Sequence, residues 1–268
     1  MPSQPTFETI KPSYLYALVA GDFELLEDKY TTTSGKEVSL QIYSEKGYGD
    51  RLKHAMAALK KSMKWDEDNY GREYDLDVYK IVAVNDFNMG AMENKGLNIF
   101  NAQCVLASPK SATDNNYLEV ESVIGHEYFH NWTGNRITVS RWFELSLKEG
   151  LTTFREQSFS EDSSSVVERI DQVNYLRNNQ FAQDAGPLSH SVRPQSYVEI
   201  DNFYTTTIYK KGAEIFRMLQ TTLGKTVFRK GMDTYFLDYD GQAVTIEHFI
   251  TAMEKASGRD LSQFALWF

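Results

Sequence analysis

The sequence has a single cysteine and no long apolar run, and these absences exclude several classes of protein. Cys104 has no second cysteine with which to form an internal disulfide, so a secreted disulfide scaffold is excluded. No apolar stretch approaches the ~18 residues that a membrane helix needs. Residues 1–8 lack the basic and apolar pattern of a signal peptide. Together these features predict a cytoplasmic protein without a membrane partner.

Basic residues are also in the minority. The chain has 28 Lys and Arg against 37 Asp and Glu, a formal net charge of −9, which argues against nucleic acid as a partner. The same charge favours cationic ligands. With 41% hydrophobic and 24% charged residues among 268, the composition is that of a globular protein able to bury a large core.

The most informative segment is His126-Glu127-Tyr128-Phe129-His130. Side chains four residues apart lie above one another on a helix, so His126 and His130 can bind one ion. Glu149 follows after eighteen intervening residues, 131–148. Two histidines and a glutamate fill three positions of a tetrahedral Zn²⁺ and leave one for water, which is typical of hydrolytic zinc. Glu127 projects beside the ion and can act as a general base towards that water.

The surrounding sequence predicts the helices that this site requires. Asp114 and Asn115 are candidate N-caps for a helix that runs through the two histidines and stops at Gly134. The apolar residues around Glu149 predict a second helix that packs against the first. The alternative is that both histidines are ordinary residues of an amphipathic helix. For Glu149 the alternative is an ordinary solvated glutamate, and its spacing alone is moderate evidence.

The distribution of periodic segments predicts the fold class. Extended segments are expected within residues 14–43, at 76–84 and at 97–100, with one helix through Leu52, Met56, Leu59 and Met63. From about residue 115 onward nearly every periodic segment is helical. Strands that precede helices in this way predict an α+β domain and not alternating βαβ units.

Four segments in this order resemble the zinc aminopeptidases of the gluzincin group, in particular the bacterial ones. They are GAMEN at 90–94, HEYFHNW at 126–132, LKEGLT at 147–152 and YTTTIYKKGA at 204–213. The resemblance implies a thermolysin-like metallopeptidase catalytic domain, with an N-terminal β-sheet part followed by a mainly helical part. It assigns residues 23–268 to this domain and 1–22 to the tail of a preceding β-rich domain. A C-terminal helical domain would be absent.

The resemblance also assigns roles to individual residues. His126, His130 and Glu149 would bind one Zn²⁺ per chain, Glu127 would be the general base, and the Tyr209 hydroxyl would stabilise the oxyanion. The substrate would be a peptide with a free N-terminus, bound by its α-amino group to Glu93. The substrate-binding segment comprises Met89, Gly90, Ala91, Met92, Glu93 and Asn94, and its backbone would pair with the peptide like an added strand.

Some of these positions can also be interpreted in another way. Met89 either lines the pocket for the first side chain of the substrate or fills the core. A glutamate and an asparagine beside Gly90 would by themselves indicate an exposed hairpin turn. Lys210 stands where an acidic residue is expected in many relatives, which affects local charge but leaves the Tyr209 hydroxyl in place.

Three other functions remain as alternatives at this stage. A zinc endopeptidase would share the metal site but would not need Glu93. An epoxide hydrolase of the same group would have Gly-Gly where this chain has Gly90-Ala91. A non-catalytic zinc or interaction module would need neither Glu127 nor Tyr209. Because the neighbouring domains of the full-length enzyme would be missing, we expect zinc binding to be intact and peptidase activity to be weak.

Overall fold

The computed structural model describes residues 12–268, and its strands come first along the chain. A five-stranded mixed sheet has the order β1-β2-β3-β5-β4. Neighbours are antiparallel at β1–β2 and β4–β5 and parallel at β2–β3 and β3–β5. The strands are β1 (Phe23–Thr31), β2 (Glu37–Glu45), β3 (Val78–Val84), β4 (Ala91–Met92) and β5 (Leu97–Asn101). The region of the predicted preceding domain lies partly outside the described residues, since 1–11 are not described.

Side-chain alternation decides which face of β2 enters the core. Val38, Leu40 and Ile42 are fully buried, and the residues between them point to the opposite face, as the two-residue period of a strand requires. These three side chains belong to the same apolar core as Leu59 of the following helix and Ile124 of the helix that bears the two histidines. The strand therefore forms one wall of the core that supports the site.

Helices make up most of the chain after the sheet, as predicted. They are α1 (Lys53–Tyr70), α2 (Asp114–Phe129), α3 (Leu145–Ser163), α4 (Val167–Tyr175), α5 (Phe181–Asp184), α6 (Gly212–Leu223), α7 (Lys225–Tyr239), α8 (Ile246–Ser257) and α9 (Ser262–Ala265). Two short parallel strands, β6 (Thr138–Val139) and β7 (Ala243–Val244), lie among them. Within residues 12–268, no helix combines the length and the apolar character needed to cross a membrane.

The α+β class is confirmed, with one feature that was not predicted and one detail that is wrong. The unit β2-α1-β3 is a parallel crossover, whereas strands gathered before helices gave no reason to expect a βαβ unit. The N-cap of α2 is Thr113, not Asp114 or Asn115. The Thr113 hydroxyl accepts from the Asn116 N–H at 3.3 Å, and the Asn116 amide oxygen accepts from the Thr113 N–H at 2.9 Å. This reciprocal pair satisfies two N–H groups near the helix start.

Two glycines allow α3 and α6 to approach each other closely. A Cβ built on Gly150 would lie 3.0 Å from the Gly212 backbone and 3.2 Å from the Ile208 carbonyl oxygen. Backbone atoms cannot move aside as a flexible side chain can, so any larger residue at Gly150 would push the helices apart. The segment Thr207–Lys211, which precedes α6, is a single π-helical turn. Such turns are rare and often lie at functional sites.

Candidate metal centre

Three side chains from two packed helices converge on one point. His126 lies in the last turn of α2, His130 caps that helix, and Glu149 lies in the second turn of α3. The Nε2 atoms of the two histidines are 3.0 Å apart, and Glu149 Oε2 lies 3.0 Å from His130 Nε2 and 3.4 Å from His126 Nε2. Ligands bonded at ~2.0–2.1 Å in a tetrahedron lie about 3.3 Å apart, so these atoms are spaced to hold one ion.

Glu127 lies beside these three residues but outside the group that they form. One oxygen each of Glu127 and Glu93 and a ring nitrogen of His130 fall within 4.8 Å of one another. Glu127 is buried, and its Oε2 has no hydrogen-bond partner among residues 12–268. Burial raises the pKa of Glu127 well above its usual range, and the nearby carboxylates of Glu93 and Glu149 raise it further. A carboxyl group whose pKa is raised in this way holds a proton more readily than an ordinary glutamate, which suits a group that accepts a proton and passes it on.

Lys148 is the main residue of the site that the sequence analysis missed. Its ammonium group forms buried ion pairs with Glu93 Oε1 and, at 2.6 Å, with Glu149 Oε1. Burial alone would raise the pKa values of Glu93 and Glu149, but the Lys148 charge, together with the His130 ring and the hydrogen bonds to these carboxylates, outweighs burial and holds both below their usual range. Lys148 therefore occupies one oxygen of Glu149 while the other, Oε2, faces the histidines.

Tyr209 reaches the site from the π-helical turn. Its ring stacks on that of His126, with 6.0 Å between centroids and 27° between planes. Burial raises the pKa of the Tyr209 hydroxyl well above its usual value, as does the negative charge of Glu149. The hydroxyl therefore remains protonated at neutral pH and can donate a hydrogen bond. The close contact of Gly150 with Gly212 brings this turn against α3.

The GAMEN segment forms the edge of the sheet and one wall of the cavity. Ala91 and Met92 are β4, which within residues 12–268 pairs only with β5. Among these residues no strand covers the outer edge of β4, where a further strand could pair. Glu93 and Asn94 are buried, and Asn135 donates a hydrogen bond to the Glu93 carbonyl oxygen at 2.8 Å. Gly90 accepts from the Asn101 N–H at 2.9 Å.

One cavity of about 790 Å³ contains nearly all the predicted site residues. Its lining includes the two histidines, the four residues Glu93, Glu127, Glu149 and Tyr209, and the segment Met89–Met92. Met89 is 46% exposed, so it lies on the cavity wall and not in the core. Asn94 is not part of the lining.

The cavity is also lined by residues that sequence reasoning did not single out. Ser122 lies one turn before His126 on α2, and Glu156 lies two turns after Glu149 on α3. The Ser122 hydroxyl donates to Glu156 Oε1 at 2.7 Å, and Lys210 Nζ lies 3.9 Å from Glu156 Oε2. No sequence motif marks Ser122 or Glu156, since helical spacing alone does not reveal which of several polar residues faces a cavity.

Comparisons with known proteins agree with this geometry. The peptidase family M1 domain matches residues 54–267. Aminopeptidase N of Haemophilus influenzae is 60% identical over 259 residues, which are 96% of this chain and 30% of that protein. Aminopeptidase N of Escherichia coli K12 is 59% identical over the same shares. The chain therefore spans about 30% of the length of these relatives.

A solved structure supports the fold independently. The crystal structure of Legionella pneumophila aminopeptidase A in complex with aspartic acid matches with a TM-score of 0.88 and 38% identity, over 97% of this chain and 30% of that one. The domain match covers most of the chain and includes all three candidate ligands. The chain therefore belongs to peptidase family M1, a family of metallopeptidases.

Proposed function

We propose that this chain is the catalytic part of a zinc-dependent aminopeptidase that releases N-terminal amino acids from peptides. The observation that carries the proposal is the position of Glu93, a buried carboxylate that shares a cavity with the His126, His130 and Glu149 cluster. A carboxylate at this place can bind the positively charged amine of a substrate. The names of the full-length relatives point to the same activity.

The three clustered residues fit zinc by donor type as well as by spacing. Two imidazole nitrogens and one carboxylate oxygen are the donors of hydrolytic zinc sites that leave a position open. When bound, the ion would polarise the scissile carbonyl and lower the pKa of an attacking water. The pairing of Glu149 Oε1 with Lys148 leaves Oε2 as the oxygen that would bind the ion.

Glu127 and Tyr209 would move and hold protons during the reaction. With its raised pKa, Glu127 would take a proton from the attacking water and pass it to the nitrogen of the leaving peptide. Tyr209, protonated and close to His126, would donate its hydroxyl hydrogen to the oxyanion that forms at the scissile carbonyl. Neither role duplicates the other, so each residue is separately testable.

The edge strand and its neighbours would fix the register of the substrate. A peptide added beside β4 would place its backbone along Ala91 and Met92 with its amine at Glu93. Lys148 holds Glu93 Oε1, which leaves the other oxygen for the amine. Met89, exposed on the cavity wall, would contact the first side chain of the substrate, where a flexible thioether adapts to several shapes.

Two alternatives predict different substrates. A zinc endopeptidase would cleave internal bonds and would not depend on Glu93, and a non-catalytic zinc module would cleave nothing. We therefore compare wild type with Glu93→Gln on an aminoacyl-arylamide and on an internally cleavable peptide. The proposal expects Glu93→Gln to lose most activity on the free-amine substrate. Cleavage of the internal bond by wild type, unchanged in Glu93→Gln, would favour the endopeptidase.

The remaining predictions concern the whole protein. We propose that residues 23–268 form the catalytic domain, that 1–22 belong to a preceding β-rich domain, and that the full-length protein adds further domains. We also propose a cytoplasmic location, on the composition given above. Since the chain spans about 30% of its relatives, we expect slower turnover than in a full-length enzyme.

A further inference from the structure

The ring of His130 is held, on the side away from the candidate metal position, by a buried polar cluster that the proposed mechanism does not use. We call this the threonine–arginine cluster, and it consists of Asp66, Thr133, Thr152 and Arg155. Exposure is 1% for Thr133 and 0% for the other three residues. Burying polar groups costs free energy unless they form hydrogen bonds or ion pairs with one another. We therefore expect this cluster to have a role behind His130.

The hydrogen bonds of His130 determine which ring nitrogen carries the hydrogen. Nδ1 lies 2.9 Å from the Thr133 carbonyl oxygen and 3.2 Å from the Thr152 hydroxyl oxygen. A carbonyl oxygen can only accept, so Nδ1 must donate and must carry the hydrogen. In the neutral ring Nε2 then has a free lone pair, and this atom faces Glu149 Oε2 and His126 Nε2, each at 3.0 Å.

Thr152 fixes the oxygen to which His130 donates. Its hydroxyl lies 2.9 Å from the Thr133 carbonyl oxygen and 2.7 Å from the Thr133 hydroxyl oxygen. It therefore bridges the imidazole and the loop that follows α2. Because Thr152 lies on α3, three residues after Glu149, it also ties the orientation of one candidate ligand to the helix that carries another.

Arg155 and Asp66 hold the loop from the other side. Arg155 Nη1 donates to the Phe129 carbonyl oxygen at 2.9 Å and to the Thr133 hydroxyl oxygen at 3.0 Å, while Nη2 pairs with Asp66. The guanidinium also lies over the Phe129 ring, 5.0 Å from its centroid. A planar, permanently charged group with several directed donors is well suited to fix one loop conformation.

His126 has no comparable support. Among residues 12–268, the side-chain hydrogen bonds of His126 involve Nε2 alone. The space beside His130 Nδ1 is too small for a side chain at position 134. A Cβ on Gly134 would lie 2.9 Å from His130 Nδ1 and 2.8 Å from Lys148 Cγ. The two histidines of the motif thus differ: His130 forms hydrogen bonds at both ring nitrogens, whereas His126 forms them at one.

We propose that Thr152 is a positioning residue, which together with Thr133 and Arg155 locks His130 in the Nδ1–H tautomer and aims Nε2 at the metal. His130 is then the preformed ligand and His126 the one that adjusts. The inference rests on the proposed metal site but not on the aminopeptidase activity. Outer partners of this kind change metal affinity 10- to 100-fold, and we expect about tenfold here because the Thr133 carbonyl remains when Thr152 is changed.

The test measures zinc affinity by competition with a chromophoric chelator for the wild type and three variants. Thr152→Val keeps the shape and removes the hydroxyl, Thr152→Ser keeps the hydroxyl, and Ser62→Ala is the matched control. Ser62 is equally buried and donates to the Ala58 carbonyl oxygen at 2.9 Å, and this bond, its one side-chain hydrogen bond within residues 12–268, does not involve His130. Urea unfolding of each metal-free variant measures stability separately.

The proposal expects zinc to bind about tenfold more weakly to Thr152→Val, with affinity restored in Thr152→Ser and unchanged in Ser62→Ala. Equal zinc affinity of Thr152→Val and wild type would overturn it, as would a Thr152→Ser variant as weak as Thr152→Val. Nitrogen NMR of metal-free wild type gives a test that needs no variant. A hydrogen on Nδ1 of His130 supports the inference, and an Nδ1 that carries no hydrogen refutes it.

These results are distinguishable from those that test the proposed function. Zinc affinities that change as expected, in a chain that cleaves no peptide, would contradict the aminopeptidase and leave the positioning role intact. Cleavage of free-amine peptides with zinc affinities that do not respond to Thr152 would do the reverse.

Discussion

Replacing Lys148 by methionine should expose how strongly the site depends on one buried cation. The side chains of Lys148, Glu93 and Glu149 are 1%, 4% and 3% exposed. Removing the cation leaves two carboxylates buried without their partner, and breaking a buried pair in this way costs about 3–5 kcal/mol. Methionine retains most of the apolar stem, so the loss of packing is a minor part of that cost.

We therefore expect the unfolding free energy of metal-free Lys148→Met to fall by about 3–5 kcal/mol, measured by urea denaturation at neutral pH in the presence of a chelator. Combining it with Glu93→Gln should recover part of the loss, because one of the unpaired charges is then absent. Saturating zinc should reduce the loss as well, since a cation beside Glu149 replaces some of the missing charge.

An exposed pair provides the control for this experiment. Lys60 pairs with Asp28 at side-chain exposures of 33% and 49%, and Lys60→Met should change stability by no more than about 1 kcal/mol. If Lys148→Met were no more costly than Lys60→Met, the carboxylates of the site would not depend on Lys148, and the electrostatic account of the cavity would be wrong.

Three further predictions concern Gly150, Glu127 and Asp75. Gly150→Ala places a Cβ 3.0 Å from the Gly212 backbone, so it should displace Tyr209 and lower turnover about 100-fold. Zinc content is the control, and unchanged turnover would contradict the role of this contact. Glu127→Gln should retain zinc while turnover falls by about 10²–10⁴; loss of zinc would show that Glu127 is a ligand. Asp75 pairs with two cations, Lys95 and Arg136. Burial raises the pKa of Asp75, but these cations lower it overall to below 3.8. Its contribution to stability is therefore present above pH 3.8 and lost as the pH falls through the lower folded value, so Asp75→Asn should flatten the acid limb of urea midpoints measured from pH 5 to pH 2.

Local sequence patterns predicted the secondary structure around the site because those patterns are local. The alternation of Val38, Leu40 and Ile42 depends only on the two-residue period of a strand, and the spacing of His126 and His130 only on that of a helix. Both appear in the structure as predicted. The N-cap was misplaced by one or two residues because Thr113, Asp114 and Asn115 are all good capping residues, and only the Asn116 side chain decides among them.

Contacts between elements far apart in the sequence could not be predicted from local patterns. Lys148 and Glu149 are adjacent in sequence, and neighbours on a helix ordinarily point in different directions, so their ion pair was not expected. The crossover β2-α1-β3 depends on which edge of β2 accepts β3, which the composition of the strands does not encode. The roles of Gly150 and Arg155 likewise depend on α6 and α1, which approach α3 only in the folded chain.

The central claim is most directly tested by the rate at which the zinc-loaded chain hydrolyses an aminoacyl-arylamide and its N-acetylated counterpart. The account predicts measurable cleavage of the free-amine substrate and at least about 100-fold slower cleavage of the acetylated one, because acetylation removes the charge that Glu93 would bind. Equal rates for the two substrates, or no cleavage of either by protein that contains one zinc per chain, would contradict it.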